Sequence, residues 1–202
     1  MATNWPNSVQ TFTNPTAGSA LNSPSHADQH ATVNDTVEAL QNYAGLVLLR
    51  TVTPGTGVSS VTVTNVFNNN FRNYKILYSG GFGSTIAALN LQLGSLTTGY
   101  YYAYRYLIYA TGGQSTQNGN NVSIWVNPGE ISAGNGNMMD CTLFAPNIAS
   151  PTGITWHGSF QSVVLWGGGR QSSTTPQTDF TIKPASGTMS GGLLQVYGFN
   201  AF

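Results

Sequence analysis

Residues 87–93 read Ala-Ala-Leu-Asn-Leu-Gln-Leu, with Leu89, Leu91 and Leu93 separated by the polar residues Asn90 and Gln92. This alternation is typical of a β-strand with one face in a core and the other in water. The same period returns in residues 180–183, which read Phe-Thr-Ile-Lys. It also returns in residues 156–161, where Trp156 and Phe160 are opposed to His157 and Gln161. These stretches predict strands of an antiparallel sheet with one buried face.

Short runs of β-branched and aromatic residues recur from residue 46 onward, separated by clusters of glycine, asparagine and proline. The ten runs are 46–53, 58–66, 74–78, 87–93, 100–109, 122–126, 139–144, 154–166, 179–182 and 193–199. No helical period interrupts them, and strands at this spacing are typical of sandwiches. We therefore predict a mainly β protein: an antiparallel jelly-roll-like β-sandwich over residues 46–202, preceded by one N-terminal helix and an extended arm.

The predicted helix lies within residues 25–45. Ser25 and Asp28 form a Ser-x-x-acid start, and Gly45 supplies a stop. Seven positions alternate in steps of four and three, as the core positions of a coiled coil do. They are His26, His30, Val33, Val37, Leu40, Ala44 and Val47. Fewer than three heptads do not hold chains together alone, so we expect an oligomeric body beside this seam; the alternative is an amphipathic helix packed on its own domain.

Residues 1–24 contain three prolines among asparagine, threonine and serine, a composition that disfavours helix. We predict an extended arm that lies on a partner, with a disordered terminus as the alternative. Its spaced apolar anchors are Trp5, Val9 and Phe12.

Charge is scarce throughout the chain. Six Lys and Arg face six Asp and Glu, so 6% of the 202 residues are charged, against about 25% in ordinary soluble domains. Six cations do not build the basic stripe that nucleic acid requires, and no apolar run is long enough for a membrane span. Low charge also leaves sheet edges unprotected, so we expect other subunits to cover much of the surface.

The sequence offers no convincing catalytic residues, metal site or cofactor site. The β region holds only Glu130, Asp140 and Asp179 as acids, and Glu130 lies in Asn-Pro-Gly-Glu, which predicts a turn. His157 is predicted on the polar face of a strand, and Cys141, the single cysteine, is predicted to be a buried apolar filler. His26 and His30 have metal-ligand spacing, but a role in packing and register is the simpler interpretation.

Aromatic residues give the better functional indication. Tyr100, Tyr102, Tyr104 and Tyr106 share one strand face, for which core or subunit interface is the simpler interpretation. Sugars stack on such rings among amides and hydroxyls, and we expect glycan contacts from the predicted loops 112–121 and 167–177. The Gly167–Gly169 run is read as a mobile loop. The candidate glycan-facing residues are Gln114, Asn118, Asn120, Asn121, Arg170 and Gln171.

Two stretches resemble virion proteins of tailed phages, of the tail-fibre and receptor-binding type. The first comprises Phe12-Thr-Asn-Pro, Leu21-Asn22 and Ser25–Gln41, which reads Ser-His-Ala-Asp-Gln-His-Ala-Thr-Val-Asn-Asp-Thr-Val-Glu-Ala-Leu-Gln. The second comprises Asp179-Phe-Thr-Ile, Ser186-Gly-Thr-Met-Ser-Gly-Gly and Val196-Tyr-Gly, and is similar to the last strands of a small fibre-tip domain.

The resemblance implies a homotrimer whose opening segment attaches to the tail or baseplate and whose closing domain faces the host. We therefore expect a short tail fibre in the virion, with host-surface polysaccharide and other tail or baseplate proteins as partners. Two alternatives remain at this stage. They are a capsid cement or head-fibre protein, which would bury its loops against coat protein, and a glycan-degrading tail spike, which would place paired carboxylates in one cleft.

Overall fold

The computed structural model describes residues 26–43, 45–134, 136, 138–160 and 163–199. These residues are mainly β, with one helix near the N-terminus and large antiparallel sheets, which confirms the predicted fold class. The predicted arm over residues 1–24 lies outside the described residues.

The helix α1 spans His26–Tyr43. The strands that follow are β1 Val47–Val52, β2 Val61–Val63, β3 Asn73–Ser79, β4 Phe82–Gly83, β5 Ala87–Leu93, β6 Tyr100–Ile108, β7 Gln114–Val122, β8 Trp125–Ile131, β9 Met138–Phe144, β10 Thr152–Phe160, β11 Val163–Gln171, β12 Phe180–Pro184, β13 Met189–Ser190 and β14 Leu193–Phe199. None of the described helical residues forms a segment long and apolar enough to cross a membrane.

Twelve of the fourteen strands form two sheets that are joined by one pairing, and β4 pairs with β13 in a separate two-stranded sheet. The larger sheet has the order β1-β14-β3-β9-β10-β11-β6-β7, and the smaller has the order β2-β12-β5-β8. All of these pairs are antiparallel, and a short pairing of β8 with β9 joins the two sheets. Strands β1, β2, β3, β5, β8, β9, β12 and β14 follow the alternating order of a jelly roll.

Two hairpins are inserted into this jelly roll. The β6–β7 hairpin lies between β5 and β8 in the chain, and the β10–β11 hairpin lies between β9 and β12. The hairpins pair with each other through β11 and β6, and β10 joins them to β9. Strands β10, β11, β6 and β7 therefore form a four-stranded extension of the larger sheet.

Aromatic side chains connect the two sheets through the core. The ring of Phe67 lies 5.7 Å from that of Phe180 on β12 and 4.7 Å from that of Tyr74 on β3. Toward the extension, the ring of Tyr100 on β6 meets Trp125 of β8 edge to face at 5.0 Å. The Tyr100 hydroxyl also accepts a hydrogen bond from the Leu93 amide at 2.8 Å. Both ends of the core are therefore fixed by specific ring contacts as well as by apolar burial.

Several predicted strands agree closely with the structure, and others do not. Strands β5 and β14 coincide with the predicted runs 87–93 and 193–199, and Leu89, Leu91 and Leu93 are fully buried as the alternation predicted. The run 154–166 was wrongly predicted as one strand, since it includes parts of both β10 and β11. The prediction of a strand over 122–126 was also wrong, because β7 ends at Val122 and β8 begins at Trp125.

We expect the fold to be lost in alkali because three tyrosines are buried. Burial raises the pKa of Tyr74, Tyr78 and Tyr100 from 10.0 to about 12. A raised phenol pKa contributes stability that is fully present below pH 10 and is lost as the pH rises from 10 toward 12. A rise of about two in the phenol pKa corresponds to roughly 2–3 kcal/mol in the free energy of unfolding for each group.

We therefore expect unfolding and ionisation of these three phenols to occur together, as measured by circular dichroism and phenolate absorbance in one titration. Tyr78→Phe should move the midpoint to higher pH, because it removes one of the three ionisable groups. Ionisation of all ten tyrosines near pH 10, in a protein whose far-ultraviolet circular dichroism is unchanged, would contradict the prediction.

Candidate functional site

The outer face of the four-stranded extension carries three neighbouring rows of side chains. The register of β6 and β11 pairs Tyr101 with Arg170, Ala103 with Gly168, and Arg105 with Trp166. These residues alternate with Tyr100, Tyr102, Tyr104 and Tyr106, which face inward. A middle row of small residues thus lies between two rows that each hold one arginine and one aromatic ring.

A shallow depression of about 600 Å³ follows this middle row. Ala103, Gly168 and Gly169 contribute small groups to its lining, while Tyr101 and Arg170 stand at one side. The neighbouring strand β7 adds the amide-bearing residues Asn118 and Asn120, both of them exposed. An open depression with a ring, amides and a guanidinium has the polar and aromatic groups that hold a saccharide.

The arginines of this face are held by uncharged neighbours. The Arg170 guanidinium carbon lies 5.0 Å from the centroid of the Tyr101 ring, which is a cation–π contact. Arg105 donates a hydrogen bond from Nη2 to Oε1 of Gln114. Trp166, the cross-strand partner of Arg105, is 40% exposed, so its indole is available to a ligand.

The glycines of β11 make this flat face possible. A Cβ atom at Gly167 would lie 2.5 Å from the Trp156 indole and 2.6 Å from the Cβ of Tyr104. The ring of Tyr102 stacks on that of Tyr104 at 6.2 Å and meets Trp156 edge to face at 6.4 Å. The Trp156 ring thus occupies the space that a side chain at Gly167 would fill. Tyr100 is buried and Tyr102, Tyr104 and Tyr106 pack against the core, as the simpler interpretation predicted.

The structure brings three of the predicted glycan-facing residues together and separates the others. Asn118, Asn120 and Arg170 line the same depression. Gln114 lies at the start of β7, beside Arg105. Asn121 has φ of 56° next to a register shift, and its Oδ1 accepts a hydrogen bond from the Gly99 amide at 3.0 Å.

The prediction that these residues lie in loops was wrong. Residues 114–122 form β7 and residues 163–171 form β11, so the Gly167–Gly169 run is part of a strand. Gln171 is also not glycan-facing: it is only 2% exposed, its amide donates to the carbonyl of Thr98, and its Oε1 accepts from the Ser173 amide. The cause of the error is that β7 is polar on both faces and β11 is rich in glycine, so neither shows an apolar period.

Tyr101 and Trp166 are the residues of this face that the candidate list missed. The sequence held a signal for Tyr101 but not for Trp166. The alternation over residues 100–109 already places Tyr101 and Arg105 opposite the inward tyrosines, whereas a single strand over 154–166 would put Trp166 on the same face as the buried Trp156. Only the strand register, however, places Trp166 beside Arg105.

The predicted seam of α1 is partly described. Val33, Val37 and Leu40 are 45%, 46% and 41% exposed, which leaves an apolar stripe without cover from the described part of the chain. His30 is exposed on the same helix. Val47 was wrongly assigned to the seam, because the helix ends at Tyr43 and Val47 opens β1 and packs against the core.

The remaining predicted residues of the arm and seam lie outside the described residues or have undescribed side chains. Ala44 and the anchors Trp5, Val9 and Phe12 are outside the described ranges, and the side chain of His26 is not described.

The acidic groups of the sandwich have different partners. Glu130 lies within β8 and not in a turn, and burial raises the pKa of its carboxyl, while a hydrogen bond from Asn127 Nδ2 at 3.0 Å lowers it. Asp140 forms an ion pair with Lys75 at 2.8 Å. Cys141 is fully buried, as predicted, and burial raises its thiol pKa. Across the described ranges, no three His, Cys, Asp or Glu side chains gather as metal ligands would.

The sequence matches no family model and no curated protein. A solved structure of infectious bursal disease virus, Gt strain, contains a chain with 13% identity, and the match covers 79% of this chain and 40% of that chain at a TM-score of 0.12. That score is too low to carry any argument about fold or function.

Gly167→Ala tests whether the side chains beneath β11 leave no room for a Cβ atom. We expect it to destabilise the protein by about 1–3 kcal/mol, because the new methyl group must displace Trp156 or Tyr104. Gly153→Ala on the neighbouring strand β10 is the control, since its Cβ would meet Phe144 at an ordinary 3.4 Å. Urea unfolding of both variants measures the difference, and equal midpoints would contradict the packing argument.

Proposed function

We propose that this protein is a phage adhesin: a short trimeric tail fibre whose N-terminal arm attaches to the tail or baseplate and whose β-sandwich binds host-surface glycan. The open depression between Tyr101, Arg170 and the amides of β7 carries the adsorption part of this proposal. It offers binding groups on a continuous sheet, and the proposed action is binding without chemistry.

The trimer part is supported by helix α1. Three exposed apolar side chains at steps of four and three make the stripe that coiled-coil partners cover. Association of three chains would remove Val33, Val37 and Leu40 from water at one axis. It would also present three copies of the depression together, and such multivalency makes weak individual sites useful.

The attachment part is supported by the resemblance of residues 12–41 to the opening segments of tail-fibre proteins. The low charge of the chain fits a protein whose surface is partly covered by other subunits. A jelly roll is compatible with this function, although folds of this kind serve many others.

Val37→Asp combined with Leu40→Asp should release monomers. Carboxylates at a shared axis would repel one another and lose solvation. Light scattering should give three times the 21.4 kDa chain mass for the unaltered protein and one chain mass for the double variant. Ala31→Asp with Asn34→Asp, which adds the same charge at exposed positions off the stripe, should leave the trimer intact. An unchanged oligomer in the seam variant would show that the helix does not hold the chains together.

Particles that lack this protein should adsorb poorly to host cells and lose tail density in electron micrographs. Purified protein should compete with intact particles for the cell surface. Ala103→Leu, which fills the depression from an exposed position, should abolish competition, whereas Thr51→Leu at the far edge of the same sheet should not. Fragile heads with normal adsorption would favour a capsid decoration protein, and release of reducing ends from host polysaccharide would favour a tail spike.

A further inference from the structure

The four-stranded extension has an unusual charge distribution. Strands β6, β7, β10 and β11 contain two of the six cations of the chain, Arg105 and Arg170, and no Asp or Glu. Both arginines lie on the outer face, in the rows on either side of the depression. In a chain with no net charge, this face is therefore locally positive.

Neither arginine is neutralised within the described part of the chain. Lys75, on the same sheet, pairs with Asp140 at 2.8 Å, whereas the partner of Arg170 is the Tyr101 ring and that of Arg105 is the neutral amide of Gln114. These neighbours hold the guanidinium groups in place without cancelling their charge. A ligand acid then meets cations that have already lost part of their side-chain freedom.

The spacing of the two cations suits an extended ligand. Arg170 pairs with Tyr101 and Arg105 lies four residues further along β6, a separation of about 13 Å in an extended strand. The small residues Ala103 and Gly168 lie between them, so no side chain blocks the path along the depression. Trp166 stands beside Arg105 and offers an exposed indole for a sugar ring.

We infer that the ligand of this depression is an acidic polysaccharide, with one acidic group bound by Arg170, a second near Arg105, and a sugar ring stacked on Trp166. The inference rests on the proposed adhesin function and adds the chemical class of its receptor. Carboxylates and phosphate groups share the planar or forked oxygen acceptors that guanidinium binds through two hydrogen bonds. The acidic group is thus either a carboxylate of a uronic acid or a phosphodiester in the polymer chain.

The experiment measures binding of three oligosaccharide probes to the full-length protein by titration calorimetry. The probes are a polyuronate fragment, a fragment of a polysaccharide whose sugars are joined by phosphodiesters, and a neutral dextran fragment of similar length. We expect at least one acidic probe to bind tenfold or more tightly than dextran, with an affinity that falls as salt is raised. The stronger of the two acidic probes identifies carboxylate or phosphodiester as the receptor group.

Three variants locate the interaction. Arg170→Gln should weaken binding of the preferred acidic probe about tenfold or more, and Arg105→Gln should weaken it less or equally. Arg50→Gln removes an exposed arginine from β1 at the other edge of the sheet, and should leave binding unchanged. Unchanged thermal unfolding of each variant shows that the fold is retained.

The outcomes separate this inference from the proposed function. If dextran binds as tightly as the acidic probes, and Ala103→Leu abolishes binding while Arg170→Gln does not, the depression binds glycan but the acidic class is wrong. Equal losses in Arg170→Gln and Arg50→Gln would also overturn the inference, because they indicate attraction to net charge alone. If no probe binds and Ala103→Leu does not affect competition on cells, both the inference and the adhesin function fail.

Discussion

The packing of aromatic rings on the glycine backbone of β11 is the constraint on which the candidate site depends. Trp156 and Tyr104 lie against Gly167, at distances that leave no room for a Cβ atom. Because these rings fill the inner side, β11 can connect β10 to β6 as a continuous strand. The outer side then has only a hydrogen at Gly168 and a methyl group at Ala103, which leaves the depression open between the two arginine rows.

The same physics explains which parts of the structure could be predicted from sequence. Strands β5 and β14 have one apolar and one polar face, and the period of two identified them correctly. Strand β7 reads Gln-Ser-Thr-Gln-Asn-Gly-Asn-Asn-Val and packs few apolar groups, so its sequence resembles a loop. Strand β11 is hidden in the sequence because its glycines reflect close contacts with other strands, such as that of Gly167 with the Trp156 ring. Non-local contacts of this kind leave no mark on local periodicity.

The candidate site was predictable in composition and not in position. The sequence predicted a glycan site made of amides and aromatic rings. In the structure, Asn118, Asn120 and Arg170 line one depression. It could not show that Gln171 is buried to satisfy the Thr98 carbonyl and the Ser173 amide, because that requires the turn after β11. The pairing of Trp166 with Arg105 likewise follows only from the register of two inserted hairpins. Helix α1 differs, because its apolar stripe depends only on spacing along the helix. The sequence alone therefore identified the stripe, although it wrongly included Val47.

The insertion of both hairpins into loops of the jelly roll has a consequence for how such a surface can change. Neither hairpin completes the site alone, because β11 and β6 bond to each other along their whole length and each would otherwise present a bare strand edge. Exchange of one hairpin between related genes would therefore leave β11 and β6 poorly matched to each other. Exchange of both hairpins, or point changes confined to outward positions, would keep these two strands paired. The jelly roll beneath can stay constant while the outward residues of the extension change one at a time.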